Sequence, residues 1–591
     1  MNYIQLTELY EKLEATSKRL EKTKLLSEFL KDCPKKEVDR VMLLVQGLVF
    51  PKADERKIGV ASKLIVKALN VATGISVEDI EKSWKKTGDL GLSAEELIKK
   101  KKQHTLFGSE DLSVEKVYKN IQKLATIEGL GSTDVKLKTI AELLTSAKPK
   151  EARYIVRTVL EDLRVGLGEG TLRDAIAIAY YERHGGKVDL ESKDPSFGSG
   201  SELTKIRDSI QEAYDITNDY AIVAQMIIED DLEMLQKLEL NTQKPVKAML
   251  AQKAKDAKDA FSIVGRPAAI EYKYDGFRMM IGKHGDKVSI HTRRLENVTA
   301  QFPEVAKLIR ENIKTESCII DGEAVGYNPK TKKYVPFQNI SQRIKRKYDI
   351  EQMAKDVPVE LNIFDIIYYN GKSMIKESFL ERRKIIEKII KEKPYQIRLA
   401  EQIVTDSDEE ADKFYHKSLN AGNEGVMFKN INAPYKPGSR VGTWIKLKPV
   451  METLDLVIVA AEWGEGKRAG WLTSFTVAAY DEDTDEYLEI GKFGTGIKEK
   501  KGEDDLSDEN IVSFEELTEA LKPFIINEKG REVRIKPNVV VELKFEEIQK
   551  SPSYSSGYAL RFPRLVRTRL DRRPDESSTL RQVEGFYKEQ N

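Results

Sequence analysis

From Met1 to about residue 240, apolar residues recur at intervals of three and four, and strict alternation is scarce. That period puts one apolar stripe on a helix, so the segment predicts amphipathic helices separated by short polar turns, an all-α domain. Tyr3 to Lys31 predicts a helix pair, and Lys35 to Val49 a further helical stretch. Ser76-Val77-Glu78-Asp79 and Ser93-Ala94-Glu95-Glu96 each predict a serine N-cap before first-turn acids, the second with the acid of a capping box. Leu160 to Ala175 carries Gly166, Gly168 and Gly170 between helical patterns. Because these glycines follow a helix rather than a strand, they do not form a dinucleotide-binding fingerprint. Asp215 to Leu235 is the last helical stretch of this region.

The helical period stops around Leu240-Asn241-Thr242-Gln243-Lys244-Pro245, which predicts a linker. From there to about Pro449, strand and helix patterns mix, as in an α+β domain. Ile270 to Asp275 alternates and breaks at Asp275-Gly276. Phe277 to Gly282 follows as a strand and turns at His284-Gly285-Asp286 into Lys287 to Thr292. Beyond Leu454 the pattern is mostly β: Asp455 to Ala461, Ser474 to Tyr480, Tyr487 to Lys492 and Asn538 to Ile548. Gly464, Gly466, Gly470, Gly494 and Gly496 punctuate it, which suits a short barrel. The chain thus divides into domains at 1–240, 241–449 and 450–591.

Composition narrows the classes. At 591 residues the chain is too long for one core. With 98 basic and 97 acidic residues its net charge is +1, so any nucleic-acid surface must be local. Cys33 and Cys318 are the two cysteines; without a Cys-x-x-Cys pair there is no four-cysteine zinc module, and a reducing, cytoplasmic setting is expected. No apolar run approaches membrane length.

Glu271 and Lys273 are two apart on one strand and share a face, with Lys273 at the strand's end beside a glycine turn. A lysine there is either a nucleophile or a solvated edge residue. What sharpens the choice is the ordered series that follows. Arg278 and Arg293-Arg294 come first, then Asp321-Gly322-Glu323 and Phe364-Asp365-Ile366. Glu424-Gly425-Val426-Met427, Trp444-Ile445-Lys446-Leu447-Lys448 and Arg561-Phe562-Pro563-Arg564 complete it. At these residues the chain resembles the covalent nucleotidyltransferases, specifically the archaeal and eukaryotic type of ATP-dependent DNA ligase, over nearly its whole length.

The resemblance implies an α-helical DNA-binding domain, an α+β adenylation core and an OB-type barrel. It makes Lys273 the nucleophile that takes AMP from ATP, passes it to the 5′-phosphate of a nick and lets the 3′-hydroxyl seal the strand. An amine attacks phosphorus only when unprotonated, and free lysine titrates near ~10.4. Cations therefore matter, and Arg278, Lys446 and Lys448 are the candidates by spacing, able also to bind phosphates. Glu323, in phase with Asp321, and Glu424 are either ligands for Mg2+ (or Mn2+) held jointly with phosphate, or strand-end acids bridged to lysines.

The family further implies Phe364 against the adenine ring, Glu271 at its edge, Arg293 at the ribose and Arg440 near Lys446. Arg164 and Arg173, with Arg157, are DNA-phosphate candidates around the glycine-rich turn; ordinary surface arginines are the alternative. Arg561 and Arg564 open a basic strip running to Arg567, Arg569, Arg572 and Arg573, which either orients pyrophosphate or tracks the DNA backbone. Arg569-Leu570-Asp571-Arg572 departs from the family's Arg-x-Asp-Lys, which leaves the role of Arg572 open.

Lys99-Lys100-Lys101-Lys102 leads into Gln103-His104-Thr105-Leu106-Phe107, similar to a segment with which archaeal ligases dock on the sliding clamp; packing of Leu106 and Phe107 on their own domain is the alternative. Lys448-Pro449-Val450 is a candidate swivel between core and barrel. The expected protein is a nucleoid-associated monomer acting on nicked duplex DNA and partnered by the clamp (PCNA). An RNA ligase or GTP-using capping enzyme shares Lys-x-Asp-Gly but normally lacks so large a helical domain ahead of it. A catalytically dead nick-binding scaffold would need a broken motif.

Overall fold

In a computed structural model, all residues are described except 55, 102–110, 130, 189–200, 229–231, 336–339, 341–342, 344–348, 450–452, 500–511, 570 and 591. Two compact units emerge: Met1–Ala68 with Thr105–Pro449, and Leu69–His104 with Val450–Asn591.

In the first unit the expected helix pair is Tyr3–Ala15 and Arg19–Asp32. Tyr3, Leu6, Leu9, Tyr10 and Leu13 form its buried stripe, the three-and-four spacing made solid. The glycine-rich stretch is a turn between helices Pro149–Val159 and Glu169–Arg183. Lys22 closes that turn from the opposite helix, donating to the carbonyls of Val165 and Gly166.

The α+β part of this unit holds two sheets. Its strands are β1 (Leu250–Lys253), β2 (Ala268–Lys273), β3 (Phe277–His284), β4 (Lys287–Thr292), β5 (Ser317–Gly326) and β6 (Val359–Tyr369). They continue as β7 (Lys372–Ser373), β8 (Ile397–Leu399), β9 (Gln402–Thr405), β10 (Gly425–Asn430) and β11 (Arg440–Leu447). One sheet runs β1-β11-β10-β2-β9; the other runs β4-β3-β5-β6-β7, with β8 beside β6. The turn at Asp275-Gly276 therefore does not close a hairpin: β2 and β3, consecutive in sequence, enter different sheets. The turn at Gly285-Asp286 does close one, pairing His284 with Lys287. A buried cluster including Tyr274, Met280, Phe364, Tyr435 and Trp444 draws on both sheets.

The second unit contains helices Val77–Thr87 and Leu90–Lys99. Ser76 caps the first as expected, accepting from the Asp79 amide. Ser93 does not cap the second. Gly88 ends the preceding helix in the left-handed region, and Asp89 accepts from the Gly91 and Leu92 amides, so Ser93 falls inside the helix.

The β-rich part comprises β12 (Thr453–Trp463), β13 (Leu472–Asp481), β14 (Glu486–Phe493), β15 (Ile525–Lys529) and β16 (Glu532–Ile535). Then follow β17 (Val540–Lys544), β18 (Glu547–Lys550), β19 (Tyr558–Arg561) and β20 (Arg564–Thr568). Long β12 pairs with β13 on one edge, and on the other with β17 along its first half and β16 along its second. Such sharing curls the sheet around Leu456, Phe475, Val477 and Leu543, as in an OB barrel. Among the described residues no helix is long and apolar enough to cross a membrane.

Candidate active site

The site is built where β2 ends. Gly425 of β10 lies opposite Lys273, and Val426 lies opposite Leu447 of β11, so three strand ends meet. The Glu424 amide donates to the Lys273 carbonyl at 2.8 Å, which locks this register. Gly425 is obligatory here. Its φ is +141°, and a Cβ would sit 2.1 Å from the Leu447 carbonyl oxygen.

The consequence is a three-membered cluster: the Lys273 and Lys448 ammoniums each lie 2.5 Å from one Glu424 carboxylate oxygen. Burial alone would raise the Glu424 carboxyl, but the Lys273 and Lys448 charges outweigh it and hold it at about 2. Glu424 is thus an acid bridged to two lysines. It thereby keeps two cations together at one strand end, a setting that suits phosphate. Lys446 sits two residues before Lys448 on β11, opposite Met427.

The second sheet supplies the facing wall. Arg278 on β3 pairs in register with Glu323 on β5. Gly276 permits the approach, since a Cβ there would meet the Ala324 oxygen at 2.6 Å and Glu323 Cγ at 2.8 Å. The surrounding protein pushes the Glu323 carboxyl up to about 7, with Lys273 and Arg278 opposing and Glu424 and Asp321 adding to the rise.

Asp321 and Glu323 part company. Asp321 is fully buried; it accepts two bonds from Arg278, at 2.9 and 2.5 Å, and one from the Tyr435 hydroxyl at 2.9 Å. Arg278 also donates to the Met249 carbonyl at 2.7 Å, so its guanidinium is committed to the wall. Arg293 and Arg440 are exposed. Partial burial and then the charges of Arg278 and Arg440 lower Arg293, a sign of crowded positive charge at this mouth.

Among the described residues no group of three or more His, Cys, Asp or Glu gathers as a metal cage. Glu323 and Glu424 supply two carboxylates. Hard carboxylate oxygens of that kind fit Mg2+, which would need further oxygen ligands from elsewhere.

Deeper in, Glu271 is 2% exposed and surrounded by groups that spacing did not reveal. Gln402 donates to Oε1 at 2.8 Å, Arg383 lies 3.4 Å from the same oxygen, and Lys429 lies 2.5 Å from Oε2. Lys429 is itself buried. Lys429 lies two residues from Met427, the β10 partner of Glu271, and so shares its face, a partnership set by the strand register and not by spacing along the chain. Phe364 is 9% exposed and packs edge-on to Trp444, with centroids 6.0 Å apart.

The nucleic-acid candidates are more dispersed. Arg164, with φ +65°, pairs with Asp162 at 2.6 Å; Arg173 pairs with Asp174 at 2.7 Å. Arg157 is interior, buried against Glu14 at 2.9 Å, and belongs to the packing of its domain. In the second unit Arg561 reaches Glu547 at 3.2 Å, and Arg564 is exposed. Between them Phe562 is 67% exposed in the left-handed region. Farther along, Asp455 holds both Arg569 (2.8 Å) and Arg572 (3.0 Å), so the residue departing from the family pattern is tied into the barrel. Gln103, Leu106 and Phe107 lie outside the described residues.

Comparison with known proteins agrees along the whole chain. Residues 2–177 match the family model for the DNA ligase N terminus, 248–448 that for the ATP dependent DNA ligase domain, and 468–572 that for the ATP dependent DNA ligase C terminal region. A DNA ligase of Nanoarchaeum equitans is 49% identical over 592 residues, covering 100% of this chain and 99% of its own length. DNA ligases of Thermococcus fumicolans (43%, covering 99% of this chain and 98% of its own) and Methanopyrus kandleri (41%, covering 100% and 99%) are similar throughout. A solved structure named Pmar-Lig_PreS3 shares the fold with a TM-score of 0.57 at 17% identity, over 95% of this chain and 99% of its own. With a lysine, a carboxylate and a second lysine gathered at one strand end, and relatives matched from end to end, the chain belongs to the ATP-dependent DNA ligases.

Proposed function

We propose that Lys273 carries the adenylate in an ATP-driven sealing of nicked duplex DNA. The Lys273 amine attacks the α-phosphorus; an N–P bond forms as the bond to the β-phosphate oxygen breaks, and pyrophosphate leaves. AMP then passes to the 5′-phosphate of the nick, and the 3′-hydroxyl displaces it to restore the phosphodiester. Before attack the amine must lose its proton and its contact with Glu424. Lys446 and Lys448 then offer positive charge to the phosphates, whose charge spreads in the transition state. Arg278 acts as a buttress, fixed to Asp321. Arg293 takes the ribose side, Phe364 and Glu271 the base, and Arg440 the nucleotide near Lys446. Glu323 and Glu424 would hold Mg2+ (or Mn2+) together with phosphate oxygens, which would supply charge neutralisation there.

The observation that carries this reading is the Lys273–Glu424–Lys448 cluster at one strand end. The test is Lys273→Ala with α-labelled ATP. Protein labelling should vanish, whereas sealing of nicks already bearing 5′-AMP should persist. A labelled variant protein would refute the assignment.

Three functional bodies follow, 1–240 for DNA, 241–449 for adenylation and 450–591 for the barrel, with Lys448-Pro449-Val450 as the swivel. Arg164 and Arg173 from the first and Arg561 and Arg564 from the last contact phosphates. The Gln103, Leu106 and Phe107 segment docks a sliding clamp on the monomeric enzyme at the nucleoid.

A further inference from the structure

The base end of the site holds a device that the series of motifs does not contain. Lys429 has its ammonium 4.2 Å from the ring centre of Trp444, 4.5 Å from Phe364 and 4.7 Å from Phe379. On its open side lies Oε2 of Glu271, at 2.5 Å. The other oxygen of Glu271 is held by Gln402 and Arg383. Arg383 is pinned in turn by the Ala400 carbonyl at 3.1 Å and by Glu387 at 2.9 Å. One buried cation thus touches both the carboxylate proposed to read the nucleobase edge and the ring proposed to stack on its face.

We infer that Lys429, with Arg383, is a positioning residue that makes the site choose adenine over guanine; this rests on the reading of Glu271 as the base-edge contact. An ionised carboxylate only accepts hydrogen bonds. Held at the 6-position of the base, it pairs with the 6-amino group of adenine and confronts the 6-oxo group of guanine, acceptor against acceptor. A carboxylate free to slide would find the N1–H and 2-amino donors of guanine instead, so its chemistry alone does not discriminate. Immobility does. Two cations gripping opposite oxygens, one of them seated among three rings, supply it.

The test is self-nucleotidylation with α-labelled ATP and α-labelled GTP, comparing kcat/KM for the two. In Lys429→Met the ATP-to-GTP ratio should fall by about tenfold or more, with KM for ATP raised more than kcat is lowered. Lys429→Arg, which keeps the charge, should recover part of the ratio. General loosening of the fold would weaken both nucleotides alike, so an unchanged ratio in Lys429→Met overturns the proposal. If that variant does not fold, Arg383→Gln is read in the same way, and an unchanged ratio is equally fatal. Glu271→Gln separates the two layers. A collapsed ratio there beside an intact one in Lys429→Met removes the role of Lys429 alone; an intact ratio in Glu271→Gln removes the base-edge reading itself.

Discussion

Glu424 is the residue on which two lysines converge. It pairs with Lys273 and Lys448, whose charges hold it at about 2 against the opposing effect of burial. Removing it leaves two cations facing each other, and takes away one of the two carboxylates proposed to hold Mg2+. Glu424→Ala is expected to shift the Mg2+ dependence of adenylation to higher concentration, read as the midpoint of a metal titration. An unshifted midpoint would set metal holding aside.

A second residue-scale effect concerns His291, which is 4% exposed on β4. Burial lowers it from 6.5 to about 4. Between those values the unfolded chain binds the proton more readily, so the contribution to stability is complete above 6.5 and declines as pH falls toward 4. In His291→Leu that decline should shrink, by at most about 3 kcal/mol, in urea unfolding followed from pH 7 to 4. Equal slopes in both proteins would assign the acid sensitivity elsewhere.

Among elements, the joint of β2, β10 and β11 sets the proposed site, because Lys273, Glu424 and Lys448 take their positions from its register. Gly425→Ala places a Cβ only 2.1 Å from the Leu447 carbonyl oxygen, at a φ of +141°. The strands must separate, carrying Lys448 and Glu424 away from Lys273. A shift of about 1 Å can cost on the order of 100-fold in rate. Adenylation should fall by that order while the variant still binds nicked DNA. A rate near wild type would mean that the strand ends tolerate the shift. The glycine-rich turn after Val159 is set in the same manner, since Lys22 draws its carbonyls inward.

For the molecule as a whole, the near balance of charge matters: 98 basic against 97 acidic residues give no global attraction for DNA. Binding must then rest on a few local cations. Arg164, Arg173 and Arg561 each carry an acidic neighbour, which a phosphate would have to displace. Replacing Arg173 or Arg564 by Ala should weaken nick binding uniformly across sequences and reduce the slope of log K against log salt by about 1. An unchanged slope would show that the residue makes no phosphate contact. Phe562, exposed between two arginines, adds a flat apolar surface to the same end of the barrel.

The sequence alone determined the order of domains and most of the strands, because hydrophobic period is a local property and the motifs stand on elements that period defines. It also raised Lys273 as a candidate nucleophile, through the ordered series of motifs that follows it and the family resemblance they carry, since a strand end beside a glycine turn suits a solvated edge lysine equally well. Tertiary structure decided what each charged residue is for. Asp321 and Glu323 look alike along β5, yet one is consumed by Arg278 and Tyr435 while the other faces Lys273. Arg157 and Arg164 are near neighbours in the chain, yet one is interior and the other at the surface. Lys429 and Arg383 were invisible for the same reason: a charge acquires meaning from its partner and its solvent, and both come from residues far away in sequence.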